Sequence, residues 1–185
     1  MESKLKKNKI TKFDVMIDIE TLSTETNALI LTISAVKFNM KEDEKECLYY
    51  RIDRESCEKL DMHIDENTVK WWKSQNKEAQ LEAFEEKNRF GIKFVLLKLT
   101  EFVKDGNCFW SHSPNFDYVI LESAYKKCKL QPPWKFWQLR DTRTVYDLAN
   151  VNLKDFSKDS VCHNSLVDCK NQIRALKQSY INLFP

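Results

Sequence analysis

Glycine is almost missing from this 185-residue chain, which has only Gly91 and Gly106. Walker-type and dinucleotide-binding loops need clustered glycines so that backbone N–H groups can crowd a phosphate. Their absence excludes the usual nucleotide-triphosphate enzymes. Long apolar runs are missing too, and none approaches the roughly 20 residues that cross a bilayer. The lysine-rich start, Met1 to Lys12, is not followed by a hydrophobic signal core, because Asp14, Asp18 and Glu20 interrupt the next segment. No paired C-x-x-C occurs among the six cysteines, which in a chain of this size read as reduced thiols. Together these absences point to a cytoplasmic protein with no membrane partner. Cys162, His163 and Cys169 fall short of the four closely spaced ligands of a structural zinc site.

A strong charge of either sign is also lacking, the formal net charge being +2. Its distribution says more. From Lys126 to Arg143, six basic residues face one acid, Asp141, with Trp134, Phe136 and Trp137 among them. Such interleaving suits a phosphate backbone with stackable bases. The competing reading, that these aromatics pack inward beside a solvated helix end, carries more weight on sequence alone.

What is present fits one globular domain over residues 1–185, with 42% hydrophobic and 12% aromatic residues for a core. Residues 1–12 read as a basic, loosely ordered N-terminal segment. Phe13–Glu20, Ala28–Phe38 and Cys47–Ile52 are rich in apolar and β-branched residues and predict a three-stranded meander, with a turn at Lys41–Glu46. Asp65 predicts an N-cap ahead of Val69, Trp71 and Trp72. Ile92 to Val103 has helical spacing, Asn107–Trp110 reads as a short strand, and Ser113-Pro114 predicts a capped helix start. Further helices are predicted after Asp141 or Thr142 and along Leu166 to Tyr180. The order of elements predicts an α/β domain of mixed layers.

The chemistry starts on the first strand. Asp18 and Glu20 lie two residues apart, so they share a face with Cα atoms about 7 Å apart. Carboxylates so placed can hold two cations about 3.5–4 Å apart; the alternative is a solvated strand end. Asp117 falls in the first turns of a helix, where an acid also suits the helix dipole. On one regular helix, His163 and Asp168 would stand about 140° apart and could not share a site. The sequence therefore places His163 in a loop, Asn164 or Ser165 as cap, and Asp168 just inside the helix.

Asp18-Ile-Glu20, Phe116-Asp117 and His163-x4-Asp168, in this order, resemble the DEDDh 3′–5′ exonucleases of the RNase H-like superfamily, closest to the phage exonuclease A type and a related exoribonuclease branch. Asp18–Ser23, Asn27–Val36, Thr68–Gln75, Trp134–Trp137 and Arg140–Thr144 extend the resemblance over residues 13–177. It implies an RNase H-like mixed sheet, the meander plus parallel strands, flanked by helices. It also implies phosphodiester hydrolysis at the 3′ end of DNA or RNA, releasing nucleoside 5′-monophosphates. Asp18, Glu20, Asp117 and Asp168 would hold two Mg²⁺ or Mn²⁺ ions, and His163 would be the general base.

Thr21, Leu22, His112, Phe116, Trp72, Arg140 and Arg143 are the implied substrate contacts. Of Trp71 and Trp72, about 100° apart on a helix, one is expected in the core and one against a base. Ser111-His112 stands where relatives often carry Gly-Asn. An RNase H-like endonuclease and a non-catalytic nucleic-acid-binding module are the alternatives. Substrate sugar and oligomeric state are not legible.

Overall fold

The computed structural model describes residues 13–41, 46–157 and 163–185. The expected N-terminal segment, the centre of the Lys41–Glu46 turn, and Cys162 lie outside them. Strands β1 (Asp14–Thr21), β2 (Ile30–Phe38) and β3 (Glu46–Ile52) form the predicted antiparallel meander. Two parallel strands extend it on the β1 side, β5 (Phe109–Ser111) and then β6 (Leu139–Asp141). A two-residue strand, β4 (Arg89–Phe90), pairs with the end of β3, giving the order β4-β3-β2-β1-β5-β6.

Alternation along β1 divides the core in two. Val15, Ile17 and Ile19 face a cluster covered by α1 (Arg54–Glu58), α2 (Glu66–Ser74), α3 (Lys77–Phe84), α4 (Ile92–Phe102) and α5 (Pro114–Lys127). Met16 faces the opposite cluster, under α6 (Thr142–Ala149) and α7 (Ser165–Leu183). Asp18 and Glu20 continue the Met16 face. They are not at a strand end in open water, but half-buried under the start of α7.

Most predicted elements form where expected. Asp65 caps α2 by accepting from the backbone N–H of Asn67 and Thr68. Asn164 caps α7 through Val167, and Asp141 caps α6 through Arg143. The start of α5 is as predicted, but its cap differs. The Ser113 side chain caps nothing, and its carbonyl accepts from the N–H groups of Phe116 and Asp117. Strands β4 and β6 and helices α1 and α3 are additions, too short for hydrophobic periodicity to reveal.

The glycine shortage has a backbone counterpart. Among the described residues, left-handed conformations fall on Asp61, Asn88, Asp105, Lys129, Asn150 and His163, and on neither glycine. Four of the six are Asp or Asn, the types that tolerate this region best. Gly106 is needed for closeness instead, since a Cβ there would meet the Phe109 ring at 3.0 Å and the Val103 carbonyl at 3.1 Å.

Candidate active site

Topology gathers the acids. Strands β1 and β5 are parallel, pairing Val15 with Phe109 and Met16 with Trp110, so their C-terminal ends adjoin. Asp18 and Glu20 sit at the end of one, and α5, carrying Asp117, starts from the other. The β1–β2 register shifts between Glu20 and Thr21; a bulge at this point re-aims the end of the strand. The start of α7 is fixed by Ser165, whose hydroxyl lies 2.9 Å from that of Thr32 and 2.7 Å from that of Ser34 on β2. Asp168, one turn further on, is thereby held over β1.

Oxygens of Asp18, Glu20 and Asp168 lie within 4.8 Å of one another. Asp117 is 4% exposed and accepts from the Ile19 N–H at 3.3 Å, between the positions of the two strand acids. All four line one cleft of about 440 Å³.

Their electrostatics agree with their placement. Burial, then Asp117, Glu20 and Asp168, push Asp18 well above the ordinary carboxylate range. Burial, then Asp168 and Asp117, do the same to Glu20. Burial raises Asp117 to about 7, and raises Asp168 to about 6 against the pull of the His163 backbone N–H. None of the four forms an ion pair among the described residues.

His163 stands just ahead of α7, with φ 64°, and lines the same cleft. Its ring meets that of Trp71 edge-on at 4.8 Å and that of Trp72 at 5.9 Å. Burial lowers its pKa, which favours the neutral imidazole.

The expected substrate contacts divide. His112, Phe116 and Arg143 line the cleft. The His112 ring is 3.1 Å from the Thr142 hydroxyl, and burial and then Arg143 lower its pKa. Phe116 also borders a neighbouring hollow of about 470 Å³, shared with Thr21, Thr24, Trp71 and Trp72.

Three expectations need correcting. Leu22 is 1% exposed; its N–H is bound to Leu29 and its carbonyl to Asp65, so it offers nothing to a ligand. Trp72 is also 1% exposed, with its indole N–H on the Thr21 carbonyl, whereas Trp71 is 43% exposed. Trp72 is thus the core member of the pair, and the ring able to stack on a base is Trp71. Arg140 does not line the cleft; its guanidinium donates to the carbonyls of Trp137 and Leu139.

Sequence reasoning missed Gln172, whose side-chain N–H₂ donates to Asp18 at 2.8 Å from within the cleft. Its position four residues after Asp168 was a usable signal, because i and i+4 share a helix face.

An antiparallel meander with parallel strands beside it, and acids delivered by the end of β1, the start of α5 and the final helix, is the architecture of an RNase H-like DEDDh nuclease. Residues 13–180 match the family described as the 3′-5′ exoribonuclease Rv2179c-like domain, and the chain belongs to that family. It is a 3′–5′ exonuclease. A curated relative, the exodeoxyribonuclease of Enterobacteria phage T4, is 24% identical over 200 residues, covering 89% of this chain and 88% of that protein. Among solved structures, the fold is similar to the nuclease domain of 3'hExo, a DEDDh family member bound to rAMP. The TM-score is 0.61 at 13% identity, with 90% of each chain covered. S. pombe Pop2p, in a form with Mg²⁺ and Mn²⁺ bound, superposes with a TM-score of 0.59 at 11% identity, covering 90% of this chain and 82% of that one.

Proposed function

We propose that this enzyme removes nucleoside 5′-monophosphates from the 3′ end of a nucleic acid. In this reading Asp18, Glu20, Asp117 and Asp168 hold two Mg²⁺ or Mn²⁺ ions, and His163 is the general base. The carrying observation is the group of mutually repelling carboxylates in one cleft, with no cationic side chain ion-paired to them among the described residues. Buried anions need compensating positive charge. An all-oxygen donor set suits a hard divalent cation better than zinc or copper. Once bound, such ions acidify a water and stabilise charge on the leaving 3′ oxygen.

The protein's own groups do the rest. The Gln172 amide orients Asp18 through its hydrogen bond. The neutral His163 ring, propped against Trp71, presents a nitrogen that can take a proton from the attacking water. Trp71, Thr21 and Phe116 border the hollow beside the acids and offer the terminal nucleoside a wall. Arg143, which also lines the cleft, would offer its guanidinium to the phosphate.

A strand labelled at its 3′ end tests this directly. Release of labelled mononucleotide from the first turnover supports the reading, and internal fragments that keep both ends would establish an endonuclease instead. Running matched DNA and RNA strands ranks the two sugars, since the family is described for RNA and the phage relative for DNA. Asp18→Ala should abolish hydrolysis in Mg²⁺ while far-UV circular dichroism stays unchanged. Full activity in that variant removes the metal assignment, and no hydrolysis by the unaltered protein would favour a binding module.

A further inference from the structure

The aromatic–basic stretch before β6 has no part in the cleft. Trp134 packs inward, 4% exposed, edge-on to Tyr118 and Tyr125 with its indole N–H on Glu122. Phe136 and Trp137 do the opposite: at 81% and 62% exposed, they are among the most exposed large apolar side chains of the molecule. Their rings stand edge to face at 5.0 Å.

They are held outward by a braced loop. Gln138 accepts from the Lys135 N–H at 2.9 Å, and its amide donates to the carbonyls of Gly106 and Asn107, both at 3.1 Å. Arg140 fastens the Trp137 carbonyl at 2.8 Å. A loop held by four side-chain hydrogen bonds that keeps two large aromatics in water is not explained by core packing.

We infer that Phe136 and Trp137 form a second nucleic-acid contact outside the cleft, a stacking platform for single-stranded substrate upstream of the 3′ end. The charges around them favour this occupant over a protein. Lys135 is exposed beside the platform, and Arg143, two residues past the edge strand β6, lines the cleft. Of the nearby acids, Asp14 accepts from Trp110 and Cys108, Asp141 caps α6 and Glu122 holds Trp134, while Asp105, next to Gly106, is exposed. From Trp137 to Asp141 the chain spans at most roughly 13 Å at strand rise. Single-strand binding folds cover about 4–16 nucleotides, with aromatics stacking on bases of any sequence.

The inference rests on the exonuclease reading for the direction of the strand, and the test separates the two. Binding of a fluorescent single-stranded 12-mer is measured in Ca²⁺ with Phe136→Ala/Trp137→Ala, alongside kcat and KM in Mg²⁺ on the 12-mer and on a dinucleotide. The double variant should bind the 12-mer about tenfold more weakly and raise its KM with kcat unchanged, leaving dinucleotide kinetics alone. Trp137→Phe should keep most of the affinity, because the stacking face survives, and Lys135→Glu should flatten the salt dependence. Unchanged 12-mer binding overturns the inference, as does equal loss on 12-mer and dinucleotide. Sedimentation that shows a dimer converted to monomer by the double variant would also overturn it, revealing a protein contact. Weakened binding by the variant with no hydrolysis of any strand by the unaltered protein would leave the platform standing and remove the exonuclease reading.

Discussion

At the scale of single residues, the proposed function divides the cleft into groups that would hold metal and one that would move a proton. Burial lowers the His163 pKa, which favours the neutral ring that a proton acceptor needs near pH 7. His163→Ala should cost about 10²–10⁴ in kcat, the usual range for a general base; a change below threefold in single-turnover assays would take it out of that role. Gln172 is different, since its side-chain amide donates to Asp18. Removing a hydrogen bond behind a metal ligand commonly costs about 10–100-fold in metal affinity or activity. Gln172→Ala should weaken Mn²⁺ binding within that range by calorimetry, with the melting curve little changed. Unaltered Mn²⁺ affinity would reduce Gln172 to a packing residue.

The element that matters most is α7. It supplies Asp168 and Gln172 to the site, and Cys169, Ile173 and Leu176 to the core beneath. Its position over β2 depends on Ser165, wholly buried between two hydroxyls. Ser165→Val removes that shared partner and leaves Thr32 and Ser34 unsatisfied. Each buried orphan costs about 1–3 kcal/mol. Denaturant unfolding should show a loss of that order, and kcat should fall as Asp168 moves off the β1 acids. Retained stability together with retained kcat would mean that α7 is set by its apolar contacts alone.

At the scale of the whole molecule, the site acts against the stability of the metal-free fold. Carboxyls in an unfolded chain titrate near about 4, whereas in the fold Asp168 is raised to about 6 and Asp117 to about 7, with Asp18 and Glu20 shifted the same way. The native state therefore binds more protons than the unfolded one across this interval. The stabilisation from these groups is fully present below about pH 4 and is lost as pH rises through about 6 and 7. In EDTA the melting temperature should fall over that window, and Mn²⁺ at pH 7.5 should restore it, as binding to the native state alone requires. A midpoint indifferent to both would mean that the four acids are compensated in some other way.

How much of this was legible beforehand depended on the range of the interactions involved. The meander, the Asp65 cap, a cap at Asn164 or Ser165 and the loop position of His163 follow from local periodicity and cap chemistry, properties of neighbouring residues, whereas the five catalytic candidates came from the resemblance carried by their ordered motifs. Which of Trp71 and Trp72 is buried, that Leu22 is sealed, that Arg140 turns to its own loop and that Phe136 and Trp137 face water could not be read in the same way. Those outcomes depend on partners far along the chain, such as Thr21 for Trp72 and Gly106 for the loop at Gln138. By itself the sequence determined which acids the chain carries and on what kind of element each sits. Only the tertiary structure decided that they share one cleft, because parallel β1 and β5 and the docking of Ser165 bring together carboxylates that are up to 150 positions apart.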